Sequence, residues 1–377
     1  MVAPVIEGFD PTRWNRIVVK IGSSLLVDAD GQIREGWLKT VIEDIAARRE
    51  AGQQIIIVSS GAIALGARRL KLPKGGRNCI EDAQAAAATG QIALSQKWAE
   101  LLGAKNLTAA QILVTLDDLE HRRRYLNASA TLERLLGLHV IPVVNENDSV
   151  ATEEIRFGDN DRLAARIAQA ADADAVILLS DIDGLYTANP HRNPDAHLVE
   201  HVEAITDEIV AMADGGSSSG MGSGGMLSKI EAARIANKAG IHLAIISGHQ
   251  DYPLSGFAKT GKGTVFHAAE SPAARKKWLA GRLSIRGRIV IDAGAAKALA
   301  SGNSLLPAGV RSVSGDFARG DAVDILTEEG QILARGLSEY DSRDAVRIAG
   351  HRSEEIAHIL GGVARSVLVH RDQMVML

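Results

Sequence analysis

The feature that most constrains this chain is a repeated alternation: short β-branched runs, each closed by small polar residues, take turns with stretches of helical apolar spacing. The first run is Ile17-Val18-Val19-Lys20-Ile21, which Gly22-Ser23-Ser24 turns into a second short apolar segment at residues 25–27. Residues 37–50 have helical spacing and stop at Gly52. Residues 54–58 read as the next buried strand, closed by Ser59-Ser60-Gly61-Ala62 ahead of another helical stretch. The order then repeats, with a helix at 81–102, a strand at 108–115, a helix at 122–136 and strands at 140–144 and 175–179. Strands separated by helices have room for crossover connections, so the expected fold is α/β, three-layered, with a mostly parallel central sheet.

In such sheets ligands collect at the carboxyl ends of the strands, so the residues that close each run are the candidates for chemistry. Residues 140–170 carry the densest example. Val140, Ile141, Val143 and Val144 form a core strand, with Pro142 marking a position near a strand end, and Asn145-Glu146-Asn147-Asp148 follow directly. Gly158-Asp159-Asn160-Asp161 then precede Leu163, Ala164, Ile167 and Ala168 at helical spacing, so Asp159 or Asn160 is the expected N-cap and its neighbours face the crevice. Lys20 is a charge inside an apolar run just before a Gly-Ser turn, where its ammonium and the loop N–H groups could together meet a phosphate. A lysine that snorkels to the strand end leaves the same pattern. Ser180-Asp181 close the strand at 175–179 in the same manner. Each cluster taken alone is equally a capped polar turn; four strand ends sharing the feature weigh towards a site.

Residues 214–225, DGGSSSGMGSGG, are too rich in glycine for helix or strand and run into a helix at 226–239 with Lys229 in its first turn. Backbone N–H groups, helix dipole and lysine converge there, an arrangement suited to polyphosphate. The letters of residues 220–225 also match a dinucleotide fingerprint, but no strand precedes them and no acid follows about twenty residues on. Residues 256–263, GFAKTGKG, approach the Walker pattern without a Ser or Thr after Lys262, and β-like Thr264-Val265-Phe266 follow where a helix should begin. A surface loop is expected there.

At 377 residues the chain is long enough for two or three domains. A net charge of -4 supplies no overall basic field for nucleic acid or anionic membrane. Cys79 is the only cysteine, which excludes an intrachain disulfide and a cysteine-based zinc site and fits a reducing, cytoplasmic setting. Glu7, Asp10, Arg13 and Arg16 interrupt the amino-terminal stretch, and no window holds eighteen uninterrupted apolar residues, so neither secretion nor membrane insertion is expected. Pro272 and Arg275-Lys276-Lys277 mark a linker with a short helix at 271–282. Beyond it, short β segments at 289–291, 323–326 and 332–336 and a helix at 292–300 read as a small mixed-β domain. Residues 283–360 hold nine Lys and Arg against eleven Asp and Glu, a weak footprint for nucleic acid.

VVKIGSSLL, IVSSGAI, VVNENDSVAT, FGDNDRLAA, LLSDIDGLYTANP and SGGMLSK resemble the successive motifs of the glutamate 5-kinase family, over residues 17–371. The first part resembles the amino-acid kinase fold; residues 283–362, with SLLPAGVRSVSGDFARGD and RIAGHRSEEI, resemble the PUA domain that bacterial members append. The resemblance implies a catalytic domain at 1–269, a linker at 270–282 and a PUA-like domain at 283–365. It implies transfer of the ATP γ-phosphoryl group, with Mg2+, to the side-chain carboxylate of L-glutamate, the first step towards proline. It further implies feedback inhibition by proline and a homo-oligomer, dimer or tetramer. Carried over motif by motif, Lys20, Ser180, Asp181, Ser223, Gly224, Gly225, Met226, Leu227, Ser228 and Lys229 fall on nucleotide positions, and Ser60, Asp148 and Asn160 on glutamate positions. Lys20, Lys229 and Asp161 fall on the catalytic ones, and no protein ligand of the metal is assigned. Ser stands where the family has Thr in the first motif, at Ser180 and at Ser223, and residues 215–219 are richer in Gly and Ser.

Physical chemistry agrees with the resemblance. Phosphoryl transfer asks for positioning and charge neutralisation rather than a protein nucleophile, so two lysines, magnesium and backbone N–H groups suffice. Asp148 and Asn160 suit the ammonium and carboxylate of a buried zwitterion, in an order the residues leave open. Two other readings stand beside this one: another amino-acid kinase, acting on acetylglutamate or aspartate, and a non-enzymatic RNA-binding protein built on the PUA-like tail. Aspartate kinases carry regulatory domains of another type at that end, and tight RNA binding requires a basic face that the charge count does not supply.

Overall fold

The computed structural model describes residues 12–28, 30–150, 160–190, 192–213, 225–268, 285–361 and 365–377. The chain divides into two compact units, Met1–Glu120 with Asn127–Glu270, and His121–Leu126 with Ser271–Leu377.

Eight strands build the sheet of the first unit: β1 (Arg16–Ile21), β2 (Gln54–Ser59), β3 (Ala109–Val114), β4 (Ile141–Glu146), β5 (Ala175–Ser180), β6 (His201–Val202), β7 (His242–Ser247) and β8 (Thr264–Phe266). Their order is β3-β4-β2-β1-β5-β7-β8-β6, and every neighbouring pair is parallel except β7 with β8. The continuous apolar runs of β1, β2, β4 and β5 are buried on both faces, as strands inside a covered parallel sheet must be. Ile17, Val19 and Ile21 join Ile55 and Ile57 in one core with Trp37, Leu38, Val41, Ile42 and Ile45 of the Glu35–Glu50 helix and with Leu94 and Trp98 of the Ile80–Gly103 helix. Each such side chain contributes roughly 1.5–3 kcal/mol when removed from water. Strand alternation sends Val18 and Lys20 to the opposite face, where the Asn160–Ala170 helix packs against β1.

Register decides where the site lies. Ile21 is opposite both Ser59 and Leu179, and Val58 is opposite Val144. Gly22, Ser60, Ser180 and the Asn145-Glu146 pair therefore leave the sheet side by side, at the carboxyl ends of four adjacent strands. The Ala62–Arg69 helix that follows β2 is seated by two glycines. At Gly66 a Cβ would overlap the Ala86 carbonyl, and at Gly90 a Cβ would overlap the Ala62 carbonyl, so only glycine at both positions lets these helices come together.

The apolar segment at 25–27 begins inside a short helix, Ser23–Leu26, in which Leu25 and Leu26 both donate to the Gly22 carbonyl and bury their side chains. Two expectations need correction here. Of residues 256–263 only 261–263 form a loop. Pro253–Thr260 is a helix, with proline in its first turn and Gly261 in the left-handed conformation (φ 67°) at its end. It is fixed by Asp44, whose carboxylate accepts from the N–H groups of Leu254 at 2.8 Å and Ser255 at 3.1 Å, a partner that local spacing cannot reveal. The helix of residues 160–170 begins at Asn160 itself, so Asn160 is not its cap. Asp159, the glycine-rich segment 214–224 and the helix expected within 271–282 lie outside the described residues.

The second unit holds a five-stranded mixed sheet: β9 (Ile285–Ile291), β10 (Val310–Gly315), β11 (Ala322–Leu326), β12 (Ile332–Ser338) and β13 (Val369–Met376), in the order β10-β9-β11-β12-β13. Only β9 with β11 is parallel. Ile289, Ile291, Phe317, Val323 and Ile325 lie in its core. Asp292 caps the Ala293–Ala300 helix by accepting from Ala295 N–H at 2.8 Å. β10 had no sequence signal because it is a largely exposed strand at the sheet edge, and β13 carries the sheet past residue 365. Among the described residues no helix is long and apolar enough to cross a membrane.

Candidate active site

At the carboxyl end of the sheet, two ammonium groups meet on one carboxylate. Lys20, pointing off β1, brings Nζ to 2.6 Å from Asp161 Oδ1. Lys229, in the first turn of the Met226–Lys238 helix, brings Nζ to 3.0 Å from Asp161 Oδ2. All three are buried, with 8 %, 4 % and 1 % of Lys20, Lys229 and Asp161 exposed. Burial acts most strongly on the Asp161 carboxyl and pushes it up, but the combined charges and hydrogen bonds of the two lysines outweigh it and hold the group at about 2. Asp161 is thus ionised at neutral pH, and the trio carries one net positive charge in a place shielded from water.

Beside the trio are acceptors without donors. Asn160 Nδ2 lies 3.1 Å from the Ser59 carbonyl, 2.7 Å from Ser60 Oγ and 3.0 Å from Asn145 Oδ1. Asn145 is itself held by its Nδ2 donating to Gln91 Oε1 at 2.7 Å. The amide of Asn160 is thereby fixed, and its buried Oδ1 has no hydrogen-bond partner among the described residues. Asp148, which opens a short turn after β4, likewise has a buried Oδ1 without a partner there. Burial pushes the Asp148 carboxyl up to about 6, opposed by the charge of Arg77. An unpaired buried acceptor costs roughly 1–3 kcal/mol, so two of them together ask for a ligand that donates hydrogen bonds or carries positive charge.

Asp148 and Asn160 line one small cavity of about 70 Å³ together with Lys20, Ser60, Arg77 and Lys229. Asp181 stands in its wall and also in the wall of a second cavity of about 540 Å³, which Tyr186, Met226, His249, Phe257 and Lys262 help to line. The larger volume is that of a site for a nucleotide-sized molecule, and the smaller, lined by charged and amide groups and open on one side, suits a small polar one.

Comparison with known proteins gives this arrangement a family. Residues 15–247 match the model of the amino acid kinase family, and residues 287–360 match that of the PUA domain. The glutamate 5-kinase of Zymomonas mobilis subsp. mobilis is 63% identical over 369 residues, covering 98% of this chain and 93% of the relative. That of Sphingopyxis alaskensis is 64% identical over 369 residues, covering 98% and 99%, and that of Novosphingobium aromaticivorans 59% over 362 residues, covering 96% of each. The chain belongs to the glutamate 5-kinase family. It is a kinase, on the α/β fold and with the mixed-β second domain that the sequence led one to expect.

Within this family member, Lys20, Asp161 and Lys229 come together, and Ser60, Asp148, Asn160, Ser180 and Asp181 surround the same small cavity. Met226 lines the large cavity; Gly225, Leu227 and Ser228 open the helix beside it without lining either. Ser223 and Gly224 lie outside the described residues. Sequence reasoning did not assign Gln91, Arg77, Tyr186 or Lys262 to the site. Gln91 is one of three glutamines in an alanine-rich helix, with Gln84 and Gln96, so its residue type alone carried no signal that singled it out. Lys262 lies in a stretch whose near-Walker letters carry no phosphate site, yet its Nζ lies 3.1 Å from Asp183 Oδ2, to which Tyr186 also donates at 3.1 Å, and both residues help to line the large cavity.

Proposed function

We propose that the chain transfers the γ-phosphoryl group of ATP to the side-chain carboxylate of L-glutamate, giving L-glutamyl 5-phosphate on the way to proline. The observation that carries this reading is the convergence of Lys20 and Lys229 on Asp161 where two cavities share the Asp181 wall. ATP occupies the large cavity with its phosphates towards Asp181 and the start of the Met226–Lys238 helix, where backbone N–H groups and the helix dipole favour anions. Glutamate occupies the small one. Its ammonium satisfies the orphaned oxygens of Asp148 and Asn160, and its side-chain carboxylate faces the lysines.

The substrate carboxylate is already ionised and needs no general base. One of its oxygens bonds to the γ-phosphorus as the bond to the bridging oxygen breaks and ADP leaves. Lys20 and Lys229 stabilise the charge that spreads over the transferring group, and Asp161 holds both ammonium groups in position. Among the described residues no cluster of three or more His, Cys, Asp or Glu could hold a metal ion. Mg2+ suits this site as the companion of the ATP phosphates, with Asp181 the carboxylate at hand, since that ion keeps its waters and takes few protein ligands. When bound it would neutralise phosphate charge. Proline, which also presents an ammonium and a carboxylate, is the expected inhibitor, and a cytoplasmic homo-oligomer is the expected state.

The test is ADP release with ATP, Mg2+ and glutamate, N-acetylglutamate or aspartate in turn, trapping any acyl phosphate with hydroxylamine. Hydroxamate from glutamate alone is expected. Turnover with one of the others in its place would overturn the reading.

A further inference from the structure

An amino acid with a side-chain carboxylate brings three charges into a site. On the reading above, the reacting carboxylate goes to the lysine pair and the ammonium to Asp148, which leaves the α-carboxylate to be matched. Three cations line the small cavity among the described residues: Lys20, Lys229 and Arg77. The two lysines are engaged by Asp161. Arg77 makes no hydrogen bond through its side chain and no close ion pair among the described residues, yet its charge is felt at Asp148 across the cavity. Its position is built into the fold. Lys74 (φ 49°), Gly75 (φ 64°) and Gly76 (φ 73°) form a left-handed turn between two helices. A Cβ at Gly76 would come within 2.9 Å of Ala67 Cβ and 3.1 Å of Ala86 Cβ, so the backbone threads a gap that suits glycine and delivers Arg77 beside the cavity.

We propose that Arg77 is a specificity-determining residue that engages the α-carboxylate of the substrate, so that Asp148 and Arg77 together read the two charged ends of an α-amino acid. The planar guanidinium matches a carboxylate with two parallel hydrogen bonds, which a lysine cannot reproduce. This proposal rests on the assignment of glutamate to the small cavity.

The experiment compares wild type, Arg77→Ala and Arg77→Lys in the full chain, with L-glutamate and with its α-amide, which differs in the charge at that one group. For Arg77→Ala the glutamate KM should rise on the order of tenfold, a charge-assisted contact discounted because Arg77 is exposed to water. Turnover at saturation and the ATP KM should stay near wild type, and Arg77→Lys should recover part of the loss. The kcat/KM for the α-amide should be the same in wild type and Arg77→Ala, so the preference for glutamate collapses. An unchanged glutamate KM, as expected if the first-turn amides of the Ala62–Arg69 helix alone hold the carboxylate, would overturn the proposal. An equal loss for glutamate and the α-amide would also overturn it, since Arg77 would then act through Asp148 or through the shape of the pocket. Failure of the underlying reading looks different: wild type itself would yield no hydroxamate from glutamate.

Discussion

Asp148 and Asp161 lie in one site and are pushed in opposite directions by it. Asp148 is raised by burial to about 6, above its unfolded value, so any preference of its protonated form for the folded state is present at low pH and lost as pH rises through 6. For the proposed function the sign reverses, because in that reading the ionised form holds the ammonium. The glutamate kcat/KM should therefore fall on the acid side of an apparent pKa near 6 in a pH-rate profile. Asp148→Asn should remove that limb and raise the glutamate KM about 10- to 150-fold, from a charge-assisted contact of roughly 1.5–3 kcal/mol, with the ATP KM unmoved. Asp161, lowered to about 2, contributes stability that is present above its ordinary value of 3.8 and lost as pH falls towards 2. Lys20→Ala and Lys229→Ala should each lower kcat on the order of 100-fold with modest changes in KM, because charge at the phosphoryl group is felt most in the transition state. Steady-state kinetics that left turnover at the wild-type level in both variants would refute the two-lysine mechanism.

At the scale of elements, the small cavity depends on the contact between the Ala62–Arg69 and Ile80–Gly103 helices. Gly90→Ala puts a methyl group into the Ala62 carbonyl, and Ala62 lines that cavity. The expected result is a loss of about 1–3 kcal/mol in urea unfolding, as for other overpacked cores, together with a higher glutamate KM. Exposed Gly36, which no atom crowds within 4 Å, is the control that should tolerate alanine. The large cavity depends on a different joint. Asp44 holds the first turn of the Pro253–Thr260 helix, whose Phe257 and Thr260 line that cavity. Asp44→Ala should cost about 1–2 kcal/mol, the worth of a lost cap, and raise the ATP KM while leaving the glutamate KM alone. An unchanged ATP KM in such a variant would mean that the helix does not need this anchor.

At the scale of the whole molecule, every residue assigned to binding or chemistry belongs to the first unit, so a chain ending near residue 281 should still phosphorylate glutamate. The division is not a clean cut in sequence. His121–Leu126 fall with the second unit, where buried Leu126 packs with Ala322 and Leu337. The truncated chain should therefore be active but less soluble, and Leu126→Ser should restore part of its solubility. Soluble, folded but inactive truncated protein, judged by circular dichroism and hydroxamate formation, would show that the second unit supports the site.

The sequence alone determined the sheet and pointed to the end of it where the proposed site lies. A strand buried on both faces must be apolar along its length, so β1, β2, β4 and β5 announce themselves, and the residues that break those runs are the ones at their carboxyl ends. Motif resemblance then singled out Lys20, Asp161 and Lys229, which the fold brings together and for which catalytic roles are proposed. What the local pattern could not carry was partnership between distant segments. Gln91 orients Asn145 and through it Asn160, Asp44 seats a helix that spacing had passed over as a loop, and Arg77 reaches the small cavity from a left-handed turn beyond β2. Periodicity reports which side of an element faces the interior. Which residue from elsewhere in the chain meets it there is set by strand order, register and the close approach of helices, and these exist only once the chain has folded.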